Sequence, residues 1–223
     1  PTAVSAKGSE MPDSEKRQVT VLFADLSGFT NLSSKLGSEG THELLNKYFS
    51  TVDSIIENHG GRIDKHIGDS VMAVFGAPIA HGDDPIRAIH SAIAIHKGML
   101  ALNTGQPHYA HVGIASGQVM ASKTGSDAHR EYTVTGDSVN LASRLQDLAK
   151  PGETLISGAL YQMVSSQANC SILDNIALKG IEKPVSVWRV ESLREWSPST
   201  ATNSLVGRDV ELSQFSSTLD VCL

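Results

Sequence analysis

VTVLFADLSGFT, residues 19–30, decides how the rest of the chain is read. Val19, Val21, Leu22, Phe23 and Ala24 form a run built for burial, and the run ends on a carboxylate, Asp25. Leu26-Ser27-Gly28-Phe29-Thr30 follows, with a glycine where a strand would turn into a helix. Backbone N–H groups at such a turn point outward together, the geometry that cradles a phosphate. A core strand that ends on a charge, against a turn of this kind, puts the acid where a ligand can reach it.

Outward from this stretch the pattern alternates. Leu44, Leu45, Tyr48, Phe49, Val52, Ile55 and Ile56 recur at helical spacing and predict a helix over 39–58, stopped by His59-Gly60-Gly61. GRIDKHIGDSVMAVFG, residues 61–76, reads as a hairpin turning at Gly68-Asp69, with Val71 to Phe75 as its apolar second strand. Asp83-Asp84-Pro85 opens a second helix that runs to about Leu102. HVGIAS and QVMAS read as two further strands, Gly136 to Ala149 as a third helix, and VSVWRV at 185–190 as a late strand. The order β-α-β-β-α-β predicts an α+β fold, a ferredoxin-like βαββαβ core sheet with additional strands and helices packed on it.

Residues 1–16 are small and polar and read as a disordered lead-in, 17–192 as the folded domain, and 193–204, rich in Ser, Pro and Thr, as a linker. The formal net charge of −6 and the lack of a Lys/Arg cluster argue against nucleic acid as a partner, and no polybasic patch suits a membrane surface. Cys170 and Cys222 are too few for a disulfide scaffold, and no apolar run approaches the ~20 residues of a membrane span. The chain reads as cytoplasmic.

Asp69, at the hairpin turn, supplies a second acid. In a β-α-β-β unit this hairpin can lie beside the strand ending at Asp25, so two carboxylates converge at one sheet edge beside the 26–30 turn. Hard oxygen ligands next to a phosphate cradle point to divalent metal and nucleotide chemistry. Taken singly, each acid is an ordinary turn former. In GDSVNLASRL, Asn140 and Arg144 stand four apart and share a helix face suited to a ribose and a transferring phosphoryl group. The plainer reading of that face is solvated, with Arg144 paired to Asp147. Lys65 sits four residues before Asp69 on the hairpin, where a lysine is ordinarily only a soluble edge residue.

Four blocks, VTVLFADLSGFT, GRIDKHIGDSVMAVFG, GIASGQVMASKTG and YTVTGDSVNLASRL, in this order resemble the catalytic domain of the class III adenylate and guanylate cyclases. The resemblance implies that Asp25 and Asp69 hold two divalent metal ions, Mg or Mn, and that the turn Leu26, Ser27, Gly28, Phe29 and Thr30 takes phosphate. It implies that Asn140 positions the ribose and Arg144 stabilises the pentavalent phosphorus. Lys65 and Thr133 match the purine-selecting positions. Lys with Asp or Thr marks adenylate cyclases and Glu with Cys guanylate cyclases, so the resemblance implies ATP as substrate and cyclic AMP with pyrophosphate as products. Of Lys179 and Lys183 in ALKGIEKPV, Lys179 is preferred as the triphosphate lysine.

Thr133 in place of Asp is similar to the subgroup that includes bicarbonate-responsive soluble cyclases, which makes bicarbonate a candidate activator. In this family the metal acids come from one domain and the purine, ribose and transition-state residues from its partner. One chain carrying both sets implies a homodimer with interfacial sites. A catalytically idle sensing module and a guanylate cyclase are the alternatives; the first is opposed by the presence of both acids and the arginine, the second by Lys65. LVGRDVELSQF, within residues 205–223, resembles the opening of an AAA-like ATPase module, although no G-x-x-x-x-G-K-[ST] loop occurs in the chain.

Overall fold

The computed structural model describes residues 14–102, 107–126 and 129–194. The lead-in before residue 14, the linker after 194 and the AAA-like stretch lie outside the described residues. The apolar run at Val19–Ala24 is the centre of β1 (Ser14–Leu26), which starts three residues before the expected domain boundary, so Ser14, Glu15 and Lys16 belong to the sheet and not to the lead-in. It is followed by α1 (Phe29–Asn58), β2 (Arg62–Ile67), β3 (Ser70–Phe75), α2 (Asp84–Ala101), β4 (Ala110–Ser126) and β5 (His129–Thr135). Then come α3 (Asp137–Leu148), β6 (Thr154–Ser157), α4 (Gly158–Val164), β7 (Ala168–Ile176) and β8 (Val185–Leu193).

The sheet order is β2-β3-β1-β4-β6-β8-β7, with β5 paired to β4. β3 lies between β1 and β2 and is antiparallel to both, and β4 runs antiparallel along the other side of β1. This is the expected βαββαβ core sheet, extended by β6, β7 and β8.

Alternation along β1 divides the core. Leu22, Ala24 and Leu26 face a cluster with Tyr48, Val52 and Ile56 of α1 and Ile89, Ile95 and Met99 of α2. Val19, Val21 and Phe23 face the opposite cluster, which contains Ala142 and Leu145 of α3. The odd-numbered Asp25 therefore belongs to the α3 face.

Two expectations need correction. Helix α1 begins at Phe29, ten residues earlier than the 39–58 pattern, and is broken at Gly37 (φ 69°, ψ −179°). SSKLGS carries little apolar periodicity, but Phe29 and Leu32 pack on the core and hold the first turns in place. HVGIAS and QVMAS are one strand, β4, because Val19 of β1 pairs directly with Gly117 and the ladder continues on both sides. β5, which the sequence reading did not separate, closes a hairpin on β4 and brings Thr133 opposite Ser122.

Candidate active site

Asp25 is the last but one residue of β1 and pairs with Ser70 of β3, which places it directly beside the Gly68-Asp69 turn. Gly68 takes φ 65°, the left-handed conformation such a tight turn favours. The two carboxylates come together, as the sequence leads one to expect. Burial first, then the charge of Asp69 and a hydrogen bond shared with it, push the Asp25 carboxyl from 3.8 up to about 7. Asp147 at the end of α3 adds to the upward push, and the Leu26 backbone N–H opposes it.

Gln146, buried on α3, donates Nε2–H to Asp25 Oδ2 at 3.3 Å. Tyr48, fully buried in the middle of α1, donates its hydroxyl to the carbonyl oxygen of Ala24 at 2.9 Å. These two groups fix the end of β1 from opposite faces of the sheet, and neither was singled out from the sequence. Burial, followed by the charges of Asp25, Asp69 and Asp53, holds the Tyr48 phenol protonated well above its ordinary range.

The turn after Asp25 is the expected glycine-hinged passage from strand to helix, but its Ser27 N–H donates to the Tyr109 carbonyl at 2.9 Å and does not face outward. Gly28 caps α1 in the left-handed region (φ 70°, ψ 18°), and its carbonyl accepts from Asn31 and Leu32 N–H. The N–H groups of Phe29 and Thr30, at the start of the helix, precede these bonds and lie at its positive end. Beside them lies a groove of about 250 Å³ whose wall includes Ser27, Gly28, Asn31, Lys35 and His108. Lys35 is basic, burial holds the His108 imidazole below its usual range, and neither was anticipated.

The third helix presents its residues on two sides. Ala142, Leu145 and Gln146 are buried against the sheet. Asn140 is exposed and Arg144 half-buried. Arg144 Nη1 pairs with Asp147 Oδ2 at 2.9 Å, the plain i,i+3 pairing the sequence allows. Glycine permits the close fit of this helix: a methyl on Gly113 of β4 would overlap the carbonyl oxygen of Ala142 and the backbone nitrogen of Gln146.

A second cluster forms where β5 folds towards β2. Thr133 Oγ1 donates to Asp64 Oδ2 at 2.6 Å, and Lys65 Nζ lies 3.4 Å from the same oxygen. Lys65 and Thr133, 68 positions apart in the chain, are thereby one unit joined by a residue the sequence reading passed over. Among the described residues, no hydrogen bond or ion pair links Lys65, Thr133, Asn140 or Arg144 to Asp25 or Asp69. Lys179 is exposed beside the Gly180 turn between β7 and β8, and Lys183 lines a separate groove with Leu141 and Trp188.

Residues 11–192 match the family model for the adenylate and guanylate cyclase catalytic domain. The chain belongs to this cyclase family. The adenylyl cyclase CyaB from P. aeruginosa superposes with a TM-score of 0.78 at 35% identity, over 82% of this chain and 98% of that one. The guanylate cyclase domain of RhGC from Catenaria anguillulae, solved with GTP, gives 0.75 at 30% identity over 81% and 100%. Rv1320c of Mycobacterium tuberculosis, an uncharacterised protein, is 35% identical over 178 residues, or 77% of this chain. The cyclase domain spans only 30% of that relative's length.

The carboxylate pair of the cyclase domain fits divalent ions on its own chemistry. Two oxygen-donor acids share one partly buried place, and their mutual repulsion is what a cation relieves. Among the described residues no group of three or more His, Cys, Asp and Glu that could hold a metal ion stands together. Among the same residues, no helix is long and apolar enough to cross a membrane.

Proposed function

We propose that the chain is an adenylate cyclase catalytic domain that converts ATP to 3′,5′-cyclic AMP and pyrophosphate. The observation that carries the choice of ATP is the Lys65–Asp64–Thr133 unit. Lys65 offers only donors, which suits the unprotonated adenine N1 and opposes the guanine N1–H. Thr133 stands next to it for the 6-amino group. Asp25 and Asp69 hold Mg or Mn ions, which when bound lower the pKa of the ribose 3′-hydroxyl and neutralise the triphosphate. The 26–30 turn receives phosphate oxygens on the backbone N–H groups of Phe29 and Thr30, and Lys179 is the lysine assigned to the triphosphate.

Asn140 and Arg144 act on the ribose and on the charge of the transferring phosphoryl group. Among the described residues neither makes a hydrogen bond or ion pair to the carboxylate pair of its own chain, and the reading includes a homodimer in which each site takes its acids from one protomer and Lys65, Thr133, Asn140 and Arg144 from the other. The cytoplasm, where ATP and Mg are plentiful, is the compartment that suits this chemistry. Bicarbonate responsiveness rests on Thr133 through the family resemblance alone.

The test is to supply the purified chain with ATP or GTP, with Mg or Mn, and measure cyclic AMP and cyclic GMP. Cyclic AMP from ATP at a rate well above that of cyclic GMP from GTP is expected. Equal or greater cyclic GMP formation overturns the adenylate reading, and no product with either nucleotide overturns the catalytic one. Added bicarbonate in the same assay reads the activator.

A further inference from the structure

The β2 ladder shifts register between Ile63 and Lys65, which makes Asp64 the extra residue of a bulge. Successive side chains of a regular strand point to opposite faces. Here the bulge brings Asp64 to the side of Lys65, so that one carboxylate oxygen meets both the lysine and Thr133. The Asp64 side chain is only 3% exposed, and Arg62, Val74, Ala77 and Val134 line the same small pocket.

A threonine hydroxyl has one proton and two lone pairs. In this structure the proton goes to Asp64, in a bond of the short, charge-assisted kind. What Thr133 shows to a neighbouring base is therefore an acceptor only. Adenine presents a 6-amino donor and is matched. Guanine presents the O6 acceptor and meets lone pairs, unless the hydroxyl turns round and leaves a buried carboxylate short of a donor. An unrestrained hydroxyl would serve either base, because it can donate as readily as accept.

We propose that Asp64 is a specificity-determining positioning residue: it fixes the polarity of the Thr133 hydroxyl as an acceptor and anchors Lys65 beside it, so that the pair reads the adenine edge. The inference rests on the adenylate reading above. It assigns the discrimination at the 6-position to a residue that never touches the base.

The test compares kcat/KM for ATP and GTP in the purified chain. In Asp64→Asn the amide can donate to Thr133 and free its proton, and in Asp64→Ala the acceptor is gone. Both variants are expected to raise kcat/KM for GTP in absolute terms and to lower the ATP to GTP ratio about tenfold. Thr133→Ser, which still donates to Asp64, should keep the ratio, and Thr133→Val should lose ATP turnover without any gain for GTP. In the double variant Asp64→Asn with Thr133→Val, the GTP gain should disappear.

A merely structural Asp64 would reduce both nucleotides together and leave the ratio unchanged, which overturns the proposal. A wild-type chain without ATP preference removes the underlying adenylate reading instead, and that is seen before any variant is made. The wild type also gives a reading independent of how the variants fold. Purine riboside triphosphate, which keeps N1 but lacks the 6-amino group, should be about tenfold poorer than ATP. Equal use of the two nucleotides overturns the acceptor role of Thr133 and the proposal with it.

Discussion

Replacing Gly113 by alanine adds one methyl group where β4 meets α3, and the structure says what that methyl meets. It overlaps backbone atoms, the Ala142 carbonyl oxygen and the Gln146 nitrogen, which no rotamer change can move. Ordinary carbon contacts need roughly 3.5 Å, so α3 must lift from the sheet by about 1 Å. Overpacking of a close-packed core costs about 1–3 kcal/mol, and the lift also loosens Ala142 and Leu145; about 2–4 kcal/mol is expected in total. The same lift displaces Asn140, Arg144 and the Gln146 contact to Asp25, and a misplacement of about 1 Å can cost on the order of 100-fold in turnover.

Gly117, four residues further along β4, provides the control. A methyl there meets only the Ser138 side chain, which can rotate away, and the alanine also restricts the unfolded chain by about 0.4–1 kcal/mol in the protein's favour. Urea unfolding of both variants, with cyclic nucleotide formation measured below the transition, checks the argument. An unchanged unfolding midpoint for Gly113→Ala, or a larger loss for Gly117→Ala, would refute the view that backbone clearance under α3 sets both stability and activity.

In the presence of a chelator, the raised Asp25 carboxyl makes the folded state bind a proton more tightly than the unfolded chain, so its contribution is complete below pH 3.8 and is lost as pH rises to about 7. Full conversion of that shift would be about 4 kcal/mol, and partial solvent access reduces it to about 1–3 kcal/mol. Asp25→Asn should therefore gain melting temperature over wild type as pH rises from 4 to 7.5, and a constant difference across that range counts against the shift. Asp25→Ala and Arg144→Ala, each inactive alone, should regain activity when mixed, with up to a quarter of the wild-type rate if chains exchange at random and one of the two heterodimer sites is intact. No recovery, with exchange verified by native mass spectrometry, rules out sites shared between protomers. Lys65→Glu with Thr133→Cys should shift the ATP to GTP ratio towards GTP by about tenfold or more, and an active double variant with an unchanged ratio removes both side chains from base selection.

The core sheet and the carboxylate pair could be read from the sequence because each rests on a local pattern: an apolar run cut short at Asp25, and a Gly-Asp turn in an apolar hairpin. Where the pattern is weak, the reading falls short. Residues 29–36 are helical because Phe29 and Leu32 find the core, a tertiary effect that SSKLGS does not announce. Ser116-Gly117 looks like a strand break, but the glycine is there because Ser138 of α3 comes close over it. Asp64 precedes a lysine on a polar strand and reads as solvated; only the bulge and the fold of β5 onto β2 turn it inward. Gln146 was hidden by its polarity, since a buried glutamine gives no periodic signal until its partner is known.

Helix α3 has its C-terminal turn against the acids of its own chain, through Gln146 and Asp147, while Arg144 pairs with Asp147 and Asn140 is exposed. In a pair of such chains every copy of this helix borders two sites at once. At Gly113 it lies directly on β4, with no room for even a methyl group between them. In the proposed pair, a pull on Arg144 at one site therefore reaches, through the helix, the Gln146 donor that Asp25 of the other site depends on.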